Sequence, residues 1–142
     1  MIYEYEKELT IKEEYIDMNG HVNNVVFLQL MQDVAIEHSD INGYTLERYK
    51  ELQTTWIAKQ HCINYIKPVY LGDTIKIKTW IDSISRSFGI RKYEFFNTKD
   101  NSKVCEGEST WVYIDTKRGR PCKIDDKLKE AFLPKKDKSE RE

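Results

Sequence analysis

Residues 17–38 read DMNGHVNNVVFLQLMQDVAIEH, a polar segment followed by a mostly apolar one. Its first eight residues are rich in the turn formers Asp, Asn and Gly, which predicts a loop leading into a helix capped by Asn23 or Asn24. From residue 22 to about residue 38, apolar side chains cover most of the helical circumference, which is typical of a helix enclosed by other structure. A narrow polar stripe remains on this helix, formed by Gln29, Asp33 and Glu37.

The segments around this helix predict a sheet. Strands are predicted over residues 3–13, 54–66, 74–84, 88–97 and 103–114, and a short helix over residues 45–52. The last four strands follow one another without room for helices between them, which excludes a parallel doubly wound fold. This order indicates an α+β domain in which a five-stranded antiparallel sheet wraps around one helix. Three small residues, Cys105, Gly107 and Ser109, share one face of the last strand and predict close approach of that helix.

Composition limits the class of protein. The 142 residues, 39% hydrophobic and 33% charged, predict a single domain over residues 1–133 and a solvated charged tail over residues 134–142. The formal net charge of -1 gives no footprint for nucleic acid or an anionic membrane. The chain shows neither an export signal nor an apolar run long enough to span a bilayer, and its three cysteines lack metal-ligand spacing. We therefore expect a cytoplasmic protein with reduced thiols and no metal.

The loop before the long helix carries the candidate chemistry. The start of a helix presents unpaired N–H groups and the positive end of its dipole, so a carbonyl can be polarised there while Asp17 acts beside it. Asp17 would serve as a general base for water or as a nucleophile. The simpler interpretation is that Asp17 and Asn19 form a turn, that Gly20 supplies a positive φ, and that His21 only packs or lies at the surface. Spacing leaves both interpretations open.

The string DMNGHVNNV followed by an apolar helix resembles the Asp-x-Asn-x-His-Val-Asn-Asn motif of hot-dog-fold thioesterases. The segments 30–38 and 108–115 resemble the continuation of that family's central helix and its last strand. The resemblance is to the acyl-acyl carrier protein and 4-hydroxybenzoyl-CoA thioesterase group. It implies a hot-dog fold, hydrolysis of an acyl-CoA or acyl-acyl carrier protein without a cofactor, and a homo-oligomer, either a dimer or a dimer of dimers.

Carried over residue by residue, Asp17 matches the catalytic carboxylate of that family. Asn19 and His21 match its polar partners, and Asn24 matches the helix-start residue whose backbone N–H polarises the thioester carbonyl. The carrier-protein enzymes have tandem units and often a further Glu on the strand after the helix, whereas this chain has one unit and Pro68 near that place. The resemblance therefore favours a site built around Asp17, with Asn19 and His21 in support.

Several alternatives stay open. The hydratase/dehydratase branch of the fold resembles Asp-x-Asn-Pro-x-His, but here Gly20 follows Asn19 and His21 comes one position early. A non-enzymatic module that binds an acyl thioester is a third possibility. Asp33 and Glu37 either line the acyl channel or, as we expect, form a polar stripe that faces a subunit interface or water. Four basic residues after the last strand are candidates for binding coenzyme A phosphates or an acidic carrier protein: Lys117, Arg118, Arg120 and Lys123. The aromatic residues Phe27 and Trp56 are candidates for shaping the channel.

Overall fold

Five long strands and one very short strand form a single antiparallel sheet in the computed structural model, which describes residues 1–134. The strands are β1 (Glu4–Thr10), β2 (Thr54–Tyr65), β3 (Thr74–Ile84), β4 (Phe88–Asn97), β5 (Ser102–Asp115) and β6 (Arg120–Pro121), and the helices are α1 (Asn24–Ile41), α2 (Leu46–Leu52) and α3 (Asp126–Phe132). The long strands lie in the order β1-β3-β4-β5-β2, and β6 pairs with β5. The five predicted strands and two predicted helices are confirmed, although the first strand ends at Thr10 rather than at residue 13; β6, α3 and a short 3-10 helix at Glu13–Tyr15 are additions to them. Apart from Pro134, the predicted tail lies outside the described residues.

Helix α1 begins where its cap dictates. The Asn23 side-chain oxygen accepts a hydrogen bond from the Val25 N–H at 3.0 Å, which satisfies a donor that the first turn cannot pair internally. Of the two predicted caps, Asn23 is therefore the one used, and Asn24 is the first helical residue. The helix continues to Ile41, a few residues beyond the predicted end.

One side of α1 packs on the sheet. The buried core combines helix residues with inward-facing residues of β3, β4 and β5, including Phe27, Leu30, Met31, Val34, Ile75, Ile77, Tyr93, Phe95 and Cys105. Met31 packs directly against Gly107. A Cβ added at Gly107 would lie only 2.9 Å from the Sδ and Cε atoms of Met31. The predicted close approach of helix and sheet at the small residues of β5 is confirmed.

The other side of α1 is not enclosed by residues 1–134, contrary to the expectation from its pattern. Val25 is 70% exposed and Ile36 is 61% exposed. Strand β2 lies at the end of the strand order, so one of its edges has no partner strand within the described part of the chain. The apolar surface that the sequence assigns to a buried helix is thus only partly covered by this chain.

Helix α3 closes a second, smaller core. Its buried residues Leu128, Ala131 and Phe132 pack with Tyr44 and Tyr113. Asp125 caps it by accepting the Leu128 N–H at 2.8 Å. Its three apolar residues span less than two turns, too short a pattern to stand out in the sequence. None of the helices within residues 1–134 has the length and apolarity needed to cross a membrane.

Candidate active site

The loop that precedes α1 is held by hydrogen bonds between its own ends. The Asp17 N–H donates to the His21 carbonyl at 3.1 Å, and the Gly20 N–H donates back to the Asp17 carbonyl at 3.0 Å. Gly20 takes a φ of +82°, a left-handed conformation that glycine adopts without a Cβ clash. An Ile16–Val22 bridge closes the base of the loop. This geometry places Asp17, Asn19 and His21 on one tight turn.

Asp17 is both a turn residue and a half-buried carboxylate. Its Oδ1 accepts the Asn19 N–H at 2.8 Å, as the turn interpretation requires. The same contact fixes the carboxylate in one orientation, while Oδ2 forms no hydrogen bond within residues 1–134. Asn19 is exposed, and the bond that it makes here comes from its backbone. The turn interpretation and the catalytic one are therefore compatible for Asp17.

His21 and Asn24 line a small cavity of about 280 Å³ at the start of α1. The His21 ring lies edge-on to Tyr70, with centroids 6.5 Å apart, and its Nδ1 is 3.4 Å from the Val22 carbonyl oxygen. The Asn24 carbonyl accepts a hydrogen bond from the Tyr65 hydroxyl at 3.1 Å. The remaining lining residues are Val22, Phe27, Ile66, Lys67, Pro68 and Val69. Of the predicted site residues, His21 and Asn24 thus meet at one cavity, and Asp17 and Asn19 lie on the adjoining turn.

A larger cavity of about 550 Å³ lies between the second half of α1, α2 and strand β2. Its walls are mainly apolar and include Ala35, Ile36, Tyr44, Leu46, Trp56, Ile81, Ile84, Trp111 and Phe132. The volume falls within the range of about 300–1,000 Å³ that is usual for small-molecule sites. Trp56 lines this cavity and Phe27 lines the smaller one, so each predicted channel aromatic contacts a cavity.

The two helix carboxylates outside the loop are engaged elsewhere. Asp33 accepts a hydrogen bond from the Gln29 side chain at 2.9 Å, and Glu37 pairs with Lys7 at 2.6 Å. Neither residue lines either cavity. In this chain both residues therefore make the local polar contacts that the expected polar stripe implies.

A family profile described as "Acyl-ACP thioesterase N-terminal domain" matches residues 3–132. The chain belongs to the acyl-ACP thioesterase family. The match covers nearly the whole described part of the chain, including the loop, α1 and all strands. The resemblance to thioesterases at the loop and α1 is therefore confirmed.

Two curated relatives of the chain differ in how much of their own length it covers. This chain is 21% identical over 136 residues to oleoyl-acyl carrier protein thioesterase 1, chloroplastic, from Arabidopsis thaliana, a match that covers 91% of this chain and 37% of that protein. It is 20% identical over 128 residues to the long-chain acyl-CoA thioesterase FadM of Escherichia coli, covering 88% of this chain and 94% of that protein. The chain thus spans little more than a third of the plant relative and nearly all of the bacterial one.

The solved structure of a DHNA-CoA thioesterase from Staphylococcus aureus superposes on this family member with a TM-score of 0.80 at 19% identity, over 90% of this chain and 87% of that chain. At this identity the likeness bears on the fold. The predicted hot-dog fold is confirmed.

Sequence patterns did not predict most of the residues that line the larger cavity. Its polar lining includes Ser39, Tyr49 and Arg91, which belong to three different elements. One signal was available. In β4 the alternation Gly89, Arg91, Tyr93 places an arginine on the face that otherwise points to the core.

Proposed function

We propose that the protein hydrolyses acyl thioesters, releasing a carboxylic acid and a thiol. The observation that supports this most is the placement of a fixed carboxylate, Asp17, on the turn that ends at the start of α1, where His21 and Asn24 line a cavity. A thioester carbonyl bound there would accept a hydrogen bond from the Asn24 N–H, which lacks an intrahelical acceptor at the first helical position.

Asp17 then has two routes to the same products. As a general base it removes a proton from water, and the resulting hydroxide adds to the carbonyl and expels the thiolate. As a nucleophile its oxygen displaces the thiolate to form an anhydride, which water hydrolyses in a second step. His21 and Asn19 are proposed as polar support for the loop and the bound substrate.

We propose that the acyl chain occupies the larger cavity. Its apolar walls suit a hydrocarbon chain, whose transfer from water is favourable in proportion to the apolar area buried. The thiol carrier is coenzyme A or acyl carrier protein. The exposed turn around Arg118 and Gly119 offers cationic groups for the phosphates of either carrier.

A homo-oligomer is proposed from the uncovered surface. Strand β2 leaves a 12-residue edge without a partner strand in the described chain, and long free edges tend to pair with another chain. Ile57 on this strand and Val25 on α1 are exposed apolar side chains. Pairing of two copies would cover this surface.

The free state of Cys62, Cys105 and Cys122 fits the reducing compartment of a cytoplasmic protein.

The test is thiol release from a panel of acyl-CoA substrates of increasing chain length, with one aryl thioester, followed by acyl carrier protein substrates. Asp17→Asn should lower turnover on the order of 10²- to 10⁴-fold while leaving the melting temperature near that of the wild type, since the amide oxygen can still accept the Asn19 N–H. Asp33→Asn is the matched control, because it removes a carboxylate that lies on α1 beyond the loop and accepts a hydrogen bond from Gln29.

Equal turnover in the Asp17→Asn and Asp33→Asn proteins would remove Asp17 from the mechanism. Hydration of an enoyl thioester without thiol release would move the protein to the hydratase branch. Saturable binding of acyl thioesters with no turnover on either carrier would make it an acyl-binding module.

A further inference from the structure

Arg91 forms part of the wall of the larger cavity although its side chain lies in the core. It is 4% exposed, and it sits on β4 between Gly89 and Tyr93 on the inward face of the sheet. The cavity around it is otherwise mainly apolar. Removing a charged group from water is costly, so a guanidinium in this position requires compensating partners.

The partners that the protein supplies occupy one nitrogen of the guanidinium. Nη1 lies 3.0 Å from His38 Nδ1 and 3.0 Å from Thr79 Oγ1. Both are acceptors, because His38 uses its Nε2–H on the Ile2 carbonyl and the Thr79 hydroxyl donates to the Lys92 carbonyl. These two contacts use both hydrogens of Nη1.

The opposite edge of the guanidinium has no such partners. Nε and Nη2 carry three N–H groups, and none of them forms a hydrogen bond with residues 1–134. No carboxylate in this part of the chain forms an ion pair with Arg91. The Nε–Nη2 edge is the fork that binds both oxygens of a carboxylate in parallel.

The charge on Arg91 persists at neutral pH. Burial lowers the pKa of its guanidinium to about 10, well above the physiological range. Its neighbour His38 adds no second positive charge, because burial lowers the pKa of that imidazole to about 4 and leaves it neutral. The cavity therefore holds a buried positive charge beside mainly apolar walls, and Asp40 of α1, which also lines it, forms no ion pair with Arg91.

We propose that Arg91 binds an oxygen-bearing far end of the acyl chain, and that the preferred substrates carry a carboxylate at the end remote from the thioester. The proposal rests on the proposed function, since it names the substrate class of the same site. The apolar walls receive the methylene groups, and the free edge of Arg91 receives the terminal carboxylate. The Tyr49 hydroxyl, which accepts the Trp56 indole N–H at 3.0 Å, provides a further polar group in the same cavity.

The test compares matched pairs of substrates, an ω-carboxyacyl-CoA and the unsubstituted acyl-CoA of equal carbon number, at several chain lengths. The full-length wild type is compared with Arg91→Met and with Lys92→Met. Lys92→Met removes the same charge one residue away, where Lys92 pairs with Asp82 at 3.7 Å and does not line the cavity. The readout is the ratio of kcat/KM for the two members of each pair.

We expect the wild type to favour the carboxylated member at its best length. Arg91→Met should lower that ratio by about 10- to 100-fold, which corresponds to the loss of a charge-assisted hydrogen bond. Lys92→Met should keep the wild-type ratio. If Arg91 only stabilises the fold through Thr79 and His38, Arg91→Met should change the kcat/KM of both substrates by the same factor. An unchanged ratio in Arg91→Met therefore overturns the proposal. If Arg91→Met does not fold, a wild type without preference at any length overturns it equally.

Calorimetric binding of the same pairs to the Asp17→Asn protein separates this proposal from the proposed function. If neither substrate is hydrolysed by the wild type but the carboxylated ligand binds at least 10-fold more tightly, hydrolysis fails and the role of Arg91 stands. If both are hydrolysed at equal rates and bind equally, the role of Arg91 fails and hydrolysis stands.

Discussion

His38 Nδ1 accepts a hydrogen bond from Arg91 Nη1 at 3.0 Å, so a histidine and an arginine meet inside the domain. His38 is fully buried on α1, and its Nε2 donates to the Ile2 carbonyl at 2.6 Å. Burial is the largest cause that lowers its pKa to about 4, and the charge of Arg91 acts in the same direction. The contact requires a neutral imidazole, which couples the pair to pH.

Stability should fall in mild acid. The unfolded chain protonates His38 near the ordinary pKa of 6.5, whereas the folded protein does so only near 4. Between these values the unfolded state binds more protons than the folded state, so the free energy of unfolding decreases as the pH falls. Near pH 4 it should be about 3 kcal/mol lower than at neutral pH. Urea unfolding from pH 7 to pH 4.5 would measure this. The slope should be smaller in His38→Gln; equal slopes would contradict the assignment.

The contact of Met31 with Gly107 predicts an intolerant glycine. A Cβ at Gly107 would lie 2.9 Å from the Met31 side chain, which is itself fully buried. We expect Gly107→Ala to lower the free energy of unfolding by about 1–3 kcal/mol through overpacking. Glu108→Ala, on the exposed neighbour, is the control. Equal unfolding midpoints for the two variants would show that the end of the Met31 side chain moves aside without cost.

The cap of α1 should contribute measurably to stability. Asn23→Ala removes the acceptor of the Val25 N–H and should cost about 1 kcal/mol, whereas Asn23→Asp keeps an acceptor. Asn24→Ala serves as the comparison, because its side chain makes no capping bond. Thermal unfolding of the three variants checks this. A loss in Asn24→Ala as large as that in Asn23→Ala would argue against the cap.

The free edge of β2 predicts an assembly of at least two chains. Sedimentation equilibrium should give a mass that is a multiple of the chain mass. Hydrogen exchange should be slow along residues 54–65, although one edge of this strand is unpaired in the single chain. A monomer at micromolar concentration with rapidly exchanging β2 amides would contradict the proposed homo-oligomer.

The three thiols should differ in reactivity. Cys62 is exposed, whereas Cys105 is buried and burial raises its pKa to about 12. A disulfide exchange reagent should therefore modify Cys62 in the native protein and reach Cys105 only after denaturation. Mass spectrometry of the labelled protein locates the sites. Labelling of native Cys105 at the rate of Cys62 would contradict the packing of the core.

Local patterns predicted most of the secondary structure. The bounds of β3 and β4 match the prediction because their side chains alternate between faces over most of each strand, up to the register shifts at Ile81/Ser83 and Phe95/Phe96. The loop from Asp17 to Asn24 was readable because turn residues and a cap act within a few residues of each other. Helix α3 escaped prediction, since its three buried residues form too short a pattern.

Turns, caps and periodicities depend on neighbours in the chain, so a polar turn that enters a mostly apolar helix beside an antiparallel sheet could be predicted from the residues alone. Which residues line the cavities depends on tertiary packing. Arg91 shares a cavity with Tyr49 and a hydrogen bond with His38 because β4, α2 and α1 converge in space, over separations that no local pattern reports. The same packing places no hydrogen-bond partner from residues 1–134 at the Nε–Nη2 edge of its guanidinium.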